Sequence, residues 1–294
     1  MKELIQGAYD LHVHSAPDVL PRKLDDLEMG RRIAAAGMGG YCIKSHYFCT
    51  GERAELLRAV QPDCDFLGSL VLNSTVGGLN PAAVELAARS GAKLIWMPTC
   101  DSAYEREHIF GDSRPEKLPF WANIILELEQ NQIQNPTIRL LEEGVLRQEV
   151  LEILAIARSH DMAVATGHIS HQETFALARA AKEMGLRKLI ITHVNFPSTF
   201  YTLEEQQELL ACGAFLEHCY TTYATGKVDF AVMLEQIRRA DPERVFISSD
   251  LGQKKNVYPD EGILDFSKRL VENGFTPEAV HRMNREIPKY LAGR

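Results

Sequence analysis

Histidines recur at one kind of position in this sequence, the end of a short apolar run. Of the ten histidines, six lie at or just past such an end. They are His12, His14, His46, His168, His193 and His218, and Asp250 follows the last run in the same way. Each run has the pattern of a β-strand, and the carboxyl ends of parallel barrel strands meet at one mouth. Imidazoles and carboxylates that converge there are what a zinc-type site needs.

The His12-Val-His14 segment is the sharpest of these signals. Residues i and i+2 of a strand point to the same side, so both imidazoles can bind one ion from one face. On the spacing alone, two polar side chains satisfied in a turn explain the segment as well as a metal does. Asp10 before the pair and Asp18 after it favour the metal interpretation.

Two further histidines and one aspartate occupy matching strand ends. A lone histidine at the end of an apolar strand is usually a buried structural residue. His168 and His193 hold that position in successive strands, however, which favours ligands. Asp250 is either a helix N-cap or, as its place after the last strand favours, a metal ligand or proton-transfer group.

Lys44 and His46 share one face of the second strand. A lysine that ends a buried strand is unusual, because lysine is rarely buried without a partner. Three interpretations stay open, in this order: a carbamylated lysine that bridges two metals, a Schiff-base amine, or a cation for an anionic substrate. We expect His46 to contact the substrate. For Glu217 and His218, neighbours that face opposite ways, we expect core packing plus one polar contact.

Eight apolar, β-rich runs alternate with helical patterns. The runs cover residues 8–13, 40–44, 65–72, 92–97, 162–166, 188–192, 214–217 and 244–248. They are apolar on both faces, as in a parallel sheet covered by helices. Helical periodicity covers residues 25–36, 82–90, 145–159, 172–184, 202–211, 228–239 and 263–273, with Asn80-Pro81 and a capping box at Thr202 as start signals.

This alternation predicts an α/β protein, either a closed barrel or a doubly wound sheet. Neither GxGxxG nor GxxxxGK[ST] follows a strand, which argues against the nucleotide-binding sheets. We therefore predict a (β/α)8 TIM barrel, a single domain over residues 1–294, with a long insertion after strand 4 at about 99–144.

The insertion has the length of a lid or a substrate-binding segment. It contains Trp121 and a helical stretch near 120–130. Its cations and histidine fit a solvated surface, and recognition of a small carboxylate substrate by one of them is the alternative. These residues are Arg106, His108, Arg114 and Lys117.

Composition excludes several classes of partner. The net charge is −8 and no long basic run occurs, which argues against nucleic acid and anionic membranes. No apolar stretch approaches the roughly 18 residues of a membrane span, and the N-terminus lacks the apolar core of a signal peptide. The six cysteines form no CxxC pair, so we expect reduced thiols in a cytoplasmic protein. We also expect a small-molecule substrate and a homo-oligomer.

Asp10-Leu-His-Val-His14, His168, His193 and Asp250, on strands one, five, six and eight, resemble the amidohydrolase superfamily. The resemblance covers almost the whole chain, including a closing helix at 276–291. It implies that His12, His14 and Asp250 hold a first metal and that His168 and His193 hold a second. It also implies that Asp250 takes a proton from the bridging water.

Three departures from that family pattern matter. The fourth strand ends Leu-Ile-Trp-Met-Pro-Thr99, without the bridging carboxylated lysine or glutamate of binuclear members, so Lys44 substitutes or the site holds one metal. The β-sandwich that often precedes the barrel is absent, and Ile287-Pro288 replaces an Asn-Pro in the final helix. The Asp-Leu-His-Val-His-Ser start and His46 also resemble the polymerase-and-histidinol-phosphatase family. The short N-terminus resembles the single-zinc decarboxylases related to amidohydrolases.

Together these features predict a metal-dependent hydrolase. One or two divalent ions, with zinc as the default, activate water toward a C–N bond in a small amide, lactam or cyclic molecule, and an anionic substrate stays open. Three alternatives stay open: a zinc-dependent decarboxylase on the same barrel, a metal-dependent phosphoesterase, and a metal-free lyase or aldolase that uses a Lys44 Schiff base.

Overall fold

Eight parallel strands form a sheet that curls into a nearly closed barrel, as predicted. The computed structural model describes residues 2–111 and 118–294. The eight barrel strands are β1 (Tyr9–Val13), β2 (Gly40–Ile43), β3 (Asp65–Val71), β4 (Ala92–Trp96), β7 (Ala163–Ala165), β8 (Leu189–Ile191), β9 (Phe215–Cys219) and β10 (Val245–Ser248). Two short strands outside the barrel lie between β4 and β7 in the chain: β5 (Leu141–Glu142) and β6 (Val145–Leu146). The barrel order follows the chain from β1 to β10, and β5 and β6 pair separately as an antiparallel hairpin.

Backbone hydrogen bonds join the two ends of the sheet. The amide of Asp250 donates to the carbonyl oxygen of His12 at 2.9 Å, and the amide of His14 donates to the carbonyl oxygen of Leu251 at 2.8 Å. The carboxylate of Asp10 accepts from the amide of Ser249 at 3.0 Å. The chain that leaves β10 is therefore fixed beside the end of β1.

Helices cover the outside of the barrel. They are α1 (Asp26–Ala35), α2 (Gly51–Val60), α3 (Pro81–Arg89), α4 (Ala103–Phe110), α5 (Phe120–Gln130), α6 (Gln148–Ser159), α7 (His171–Glu183), α8 (Leu203–Ala211), α9 (Tyr220–Ala224), α10 (Phe230–Arg239), α11 (Pro259–Glu272), α12 (Pro277–His281) and α13 (Ile287–Leu291). One apolar cluster lies inside the barrel and others lie between the strands and the helices. This double burial explains why the strand sequences are apolar on both faces. Among the described residues, none of the helices has the length and apolar character to span a bilayer.

Local capping chemistry sets several helix starts. Asp25 and Thr202 each complete a capping box, at α1 and α8. Asn80 accepts from the amide of Ala83 and so caps α3. These starts are confirmed because the cap depends only on residues within one turn.

The helix predicted over 145–159 is wrong at its start. Val145–Leu146 pairs with Leu141–Glu142, and the turn between them uses Glu143 and Gly144 with φ of 50° and 83°. Positive φ at both central residues is typical of a hairpin turn of type I′. The helix therefore begins only at Gln148.

The segment after β4 is a folded cover. In α5, Trp121, Ala122 and Ile125 are buried against Leu20 and Tyr47, which follow β1 and β2.

The helix expected near 120–130 is confirmed, whereas α2 and α4 are absent from the sequence prediction. The buried side of α4 includes a glutamate and an arginine, which removes the apolar stripe that marks an amphipathic helix.

The C-terminal helices cover the end of the barrel opposite the carboxyl ends of the strands. A π-helical turn, Arg282–Glu286, joins α12 to α13. Ile287 and Leu291 enter the apolar cluster inside the barrel beside Tyr9 and Phe215. Apolar side chains therefore fill the inside of the barrel at this end.

A glycine contact between β3 and α2 tests the packing. A Cβ on Gly68 would lie 2.5 Å from the Cα and 2.8 Å from the nitrogen of Gly51, both backbone atoms. We expect Gly68→Ala to lower the free energy of unfolding by about 3 kcal/mol, since a packed backbone cannot yield. Gly144→Ala, with nothing within 4 Å but φ of +83°, should cost only about 1 kcal/mol for its strained φ. Urea denaturation checks both, and an equal or smaller loss at Gly68 contradicts the packing.

Candidate functional site

Three side chains meet where the barrel closes. Nε2 of His12 lies 3.2 Å from Oδ1 of Asp250, and Nε2 of His14 lies 3.3 Å from the same oxygen. Both imidazoles come from the end of β1. Asp250 reaches them because the closing hydrogen bonds hold its backbone there, with φ of 51°.

A second pair of imidazoles comes from the ends of β7 and β8. Nε2 of His168 lies 3.1 Å from Nε2 of His193. The His193 ring stacks on that of His12 with ring centroids 6.0 Å apart, so the two groups adjoin. Gly167 is needed for this approach, because a Cβ there would lie 2.3 Å from the carbonyl oxygen of Met97.

Partners behind the rings determine which nitrogen faces the centre. Nδ1 of His12 lies 3.1 Å from Oε1 of Glu217, which accepts its hydrogen. Nδ1 of His193 lies 3.3 Å from the hydroxyl of Thr199, and that hydroxyl already donates to the His193 carbonyl oxygen. With hydrogen on Nδ1, Nε2 keeps an unshared electron pair. The Nε2 atoms of both rings are thus free to bind a cation.

Burial favours the neutral, metal-binding form of the His14, His46 and His193 imidazoles. It lowers the pKa of His14 to about 3, with Arg22 as the largest charge effect in the same direction. It also holds the pKa of His46 and His193 well below the ordinary value. Burial alone would raise the pKa of Asp250, but His12 and His14 beside it hold that pKa well below its usual range.

Glu217 is a site residue that the sequence reasoning missed. The expectation of one polar contact for Glu217 and His218 is wrong. Glu217 faces the barrel and bonds not only to His12 but also to the hydroxyl of Ser248 at 2.7 Å and the amide of His193 at 3.1 Å. His218 points the other way, with Nδ1 3.2 Å from Nδ2 of Asn195. The available signal was a carboxylate within a strand that is otherwise buried.

Lys44 and His46 also lie at the mouth. Nζ of Lys44 is 2.8 Å from Nε2 of His12 and 4.1 Å from the ring of Trp96. Burial lowers the pKa of Lys44. The ring of His46 stacks on that of His14 at 5.1 Å, and its Nδ1 lies 2.8 Å from the hydroxyl of Thr99.

The insertion after β4 contributes a carboxylate to the site, that of Glu105, whereas the sequence suggested that it would contribute a cation. Arg106 is buried, donates to the carbonyl oxygen of Cys100 at 2.9 Å and pairs with Asp101 at 2.5 Å. The expectation of a solvated surface is therefore wrong for Arg106, and its pairing leaves no free cation for a substrate. Its neighbour Glu105 is buried, with Oε1 3.4 Å from Nδ1 of His168. The other cations of that expectation, Arg114 and Lys117, lie outside the described residues, and His108 is half-buried on α4.

The donor set fits a divalent cation. One ligand atom each from His12, His14 and Asp250 lies within 4.8 Å of the others. Tetrahedral ligands at about 2.1 Å from a metal are about 3.4 Å from one another, close to the separations found here. Nε2 of His168 and Nε2 of His193 are 3.1 Å apart, a separation that also suits two ligands of one cation.

Comparisons with known proteins place the chain in a wider group. The model of a family described as "Family of unknown function (DUF6282)" matches residues 7–217. No curated protein matches the sequence.

Several solved structures share the fold over nearly the full length. A Pseudomonas aeruginosa amidohydrolase has a TM-score of 0.64 at 10% identity, with 100% of this chain and 98% of the other covered. The probable dipeptidase PvdM of the same organism gives 0.63 at 10%, covering 99% and 96%. An organophosphorus hydrolase of Deinococcus radiodurans gives 0.59 at 14%, covering 99% and 94%. At these identities the likeness establishes the amidohydrolase-type fold; the similarity to the polymerase-and-histidinol-phosphatase family stays a prediction.

The role of Glu217 can be tested by replacing one oxygen. In Glu217→Gln, the amide NH₂ must face either the amide of His193 or the His12 and Ser248 donors. We expect a loss of about 2 kcal/mol in the free energy of unfolding of the metal-free protein, because a buried donor would lose its acceptor. Thermal denaturation checks this, with the exposed Glu204→Gln as the control. Equal stability of the two variants would contradict the assigned bonds.

Proposed function

The chain belongs to the family of unknown function DUF6282, and we propose that it is a metal-dependent hydrolase that cleaves a C–N bond of a small molecule. One observation carries this proposal: two adjoining groups of metal donors converge at the mouth of the barrel. His12, His14 and Asp250 form one group, and His168 and His193 form the other. Active sites of such barrels lie at this end.

We propose zinc as the metal, with one ion at each group. Histidine nitrogen with a single carboxylate oxygen is a donor set that zinc accepts readily. A bound divalent ion supplies Lewis acidity and lowers the pKa of water from ~15.7 toward ~7.

The chain's own residues then have distinct tasks. Asp250 stays ionised between two imidazoles, and its Oδ2 accepts from the hydroxyl of Thr221 at 3.1 Å. Because Oδ1 lies between the two imidazole nitrogens, Oδ2 is the oxygen placed to take a proton and pass it to the leaving group. His46, beside His14 and held by Thr99, is placed to contact the substrate.

The number of ions separates the remaining metal-dependent alternatives. A single-zinc decarboxylase binds one ion per chain, whereas two adjoining groups of donors have room for two ions. That room for two ions supports the hydrolase over the decarboxylase. The structural neighbours are named as amidohydrolase, dipeptidase and organophosphorus hydrolase, so the choice of a C–N bond over a phosphoester is part of the proposal.

Metal retention tests the first group of ligands. We expect His12→Ala combined with His14→Ala to abolish metal retention while the protein stays folded, because two of three donors are removed. Elemental analysis per chain and circular dichroism measure the two effects. The matched control removes two histidines away from the mouth, His160 and His281, and should keep the wild-type metal content. Full metal occupancy in the His12/His14 variant would refute the assignment.

Lys44 is the residue for which we propose a covalent modification. Its amine bonds to the same Nε2 of His12 that a metal would use, so an ammonium and a metal exclude each other there. We propose that the neutral amine takes up CO₂, which forms an N–C bond and releases a proton. The resulting carbamate would place a carboxylate beside His12, where β4 provides none.

Labelled bicarbonate tests this modification. Metal-loaded protein equilibrated with ¹³C-bicarbonate should show one protein carbamate signal by NMR, and Lys44→Met should lose it. Lys188→Met is the control, because Lys188 is also buried but pairs with Asp161. A wild-type spectrum without the signal would contradict a carboxylated Lys44. Borohydride trapping of Lys44 with a carbonyl compound would instead support the Schiff-base lyase.

A further inference from the structure

Lys227, in the loop after α9, lies near the second pair of histidines and is separated from them by one aromatic ring. Nζ of Lys227 lies 3.9 Å from the ring centroid of Phe196. That ring lies 4.8 Å from the ring of His193 and is stacked against His168 at 6.3 Å. We propose that Lys227 is the anion-recognition residue of the site and that the substrate carries a carboxylate group beside the bond to be cleaved. This inference rests on the proposed hydrolase function.

The position of Lys227 is fixed by the same segment that fixes Asp250. The amide of Lys227 donates to the carbonyl oxygen of Thr222 at 3.0 Å, which closes the end of α9. The preceding residue of α9, Thr221, donates its hydroxyl to Asp250. The short helix α9 would therefore fix the position of Lys227, which recognises the substrate, relative to Asp250, which transfers the proton.

The Lys227 ammonium lies over the ring that packs against His168 and His193, which places it beside the mouth. Burial lowers the pKa of Lys227, and the carboxylates of Asp250 and Glu105 act in the opposite direction. Both carboxylates belong to the site, so the ammonium lies within their field. The residue is still exposed at the rim, where an incoming molecule can meet it.

Three other cations that the structure describes near the mouth are already engaged. Arg22 pairs with Asp18 at 2.6 Å, and Arg106 pairs with Asp101. Lys44 lies deeper, bonded to His12. Within residues 2–111 and 118–294, no carboxylate oxygen lies within 4.0 Å of the Lys227 ammonium, which instead rests on an apolar ring.

The position of Lys227 matters because the protein as a whole is negatively charged. The protein carries a net charge of −8, so its average field repels anions. A cation beside the histidines reverses this locally and would attract an anionic substrate to the mouth. A carboxylate on the substrate gains a charge-assisted hydrogen bond from Lys227, and its apolar part can contact Phe196.

Dicarboxylates serve as probes, because one carboxylate can bind at the metal centre and the other at Lys227. Calorimetric titrations of zinc-loaded protein would compare malonate, succinate, glutarate and adipate with the monocarboxylate of the same carbon number. We expect at least one dicarboxylate to bind about tenfold more tightly than its matched monocarboxylate. Lys227→Met should lose this preference and Lys227→Arg should keep it.

Controls separate this inference from the proposed function. Lys289→Met removes a lysine that also lies over an aromatic ring, Tyr9, but at the opposite end of the barrel, and should keep the preference. Zinc content is measured on every sample. Loss of zinc from the wild type counts against the metal centre. An unchanged dicarboxylate preference in Lys227→Met, or no preference in the wild type, overturns the anion site.

Discussion

The candidate site depends on how the barrel closes. Two backbone hydrogen bonds join the end of β1 to the residues after β10, and the carboxylate of Asp10 accepts from Ser249 beside them. Burial raises the pKa of Asp10 to about 7, so this carboxyl group is costly to keep there. The closure places the Asp250 carboxylate between two imidazoles that are about 240 residues earlier in the chain. Without it, His14 would lose its carboxylate partner and His12 would keep only Glu217.

A second feature is that polar partners lie on the side of the histidine rings that faces away from the centre of the site. Glu217 holds His12, Thr199 holds His193, and Glu105 lies behind His168. Each directs Nδ1 away from the centre and leaves Nε2 toward it, which is how metal-binding histidines are commonly oriented. Glu217 comes from the barrel, whereas Glu105 comes from the insertion after β4. The insertion therefore takes part in the site itself as well as covering it.

The sequence predicted the barrel and the converging histidines because both follow from local patterns. Apolar runs mark the strands, and five of the eight runs end in one or two histidines, all of which except His218 face the mouth. Glu217 was missed because its role depends on which way one residue of β9 faces, and Glu105 because α4 lacks an apolar stripe. Arg106 was misjudged because its partner, Asp101, becomes close only when the insertion folds. The hairpin before α6 was read as helix because its turn, not its composition, decides the structure.

Anomalous diffraction from crystals grown with zinc tests the central claim most directly. The account predicts one anomalous peak within bonding distance of His12, His14 and Asp250, and a second bonded to His168 and His193. An absence of any peak at these side chains, or zinc bound only at surface residues, would contradict it.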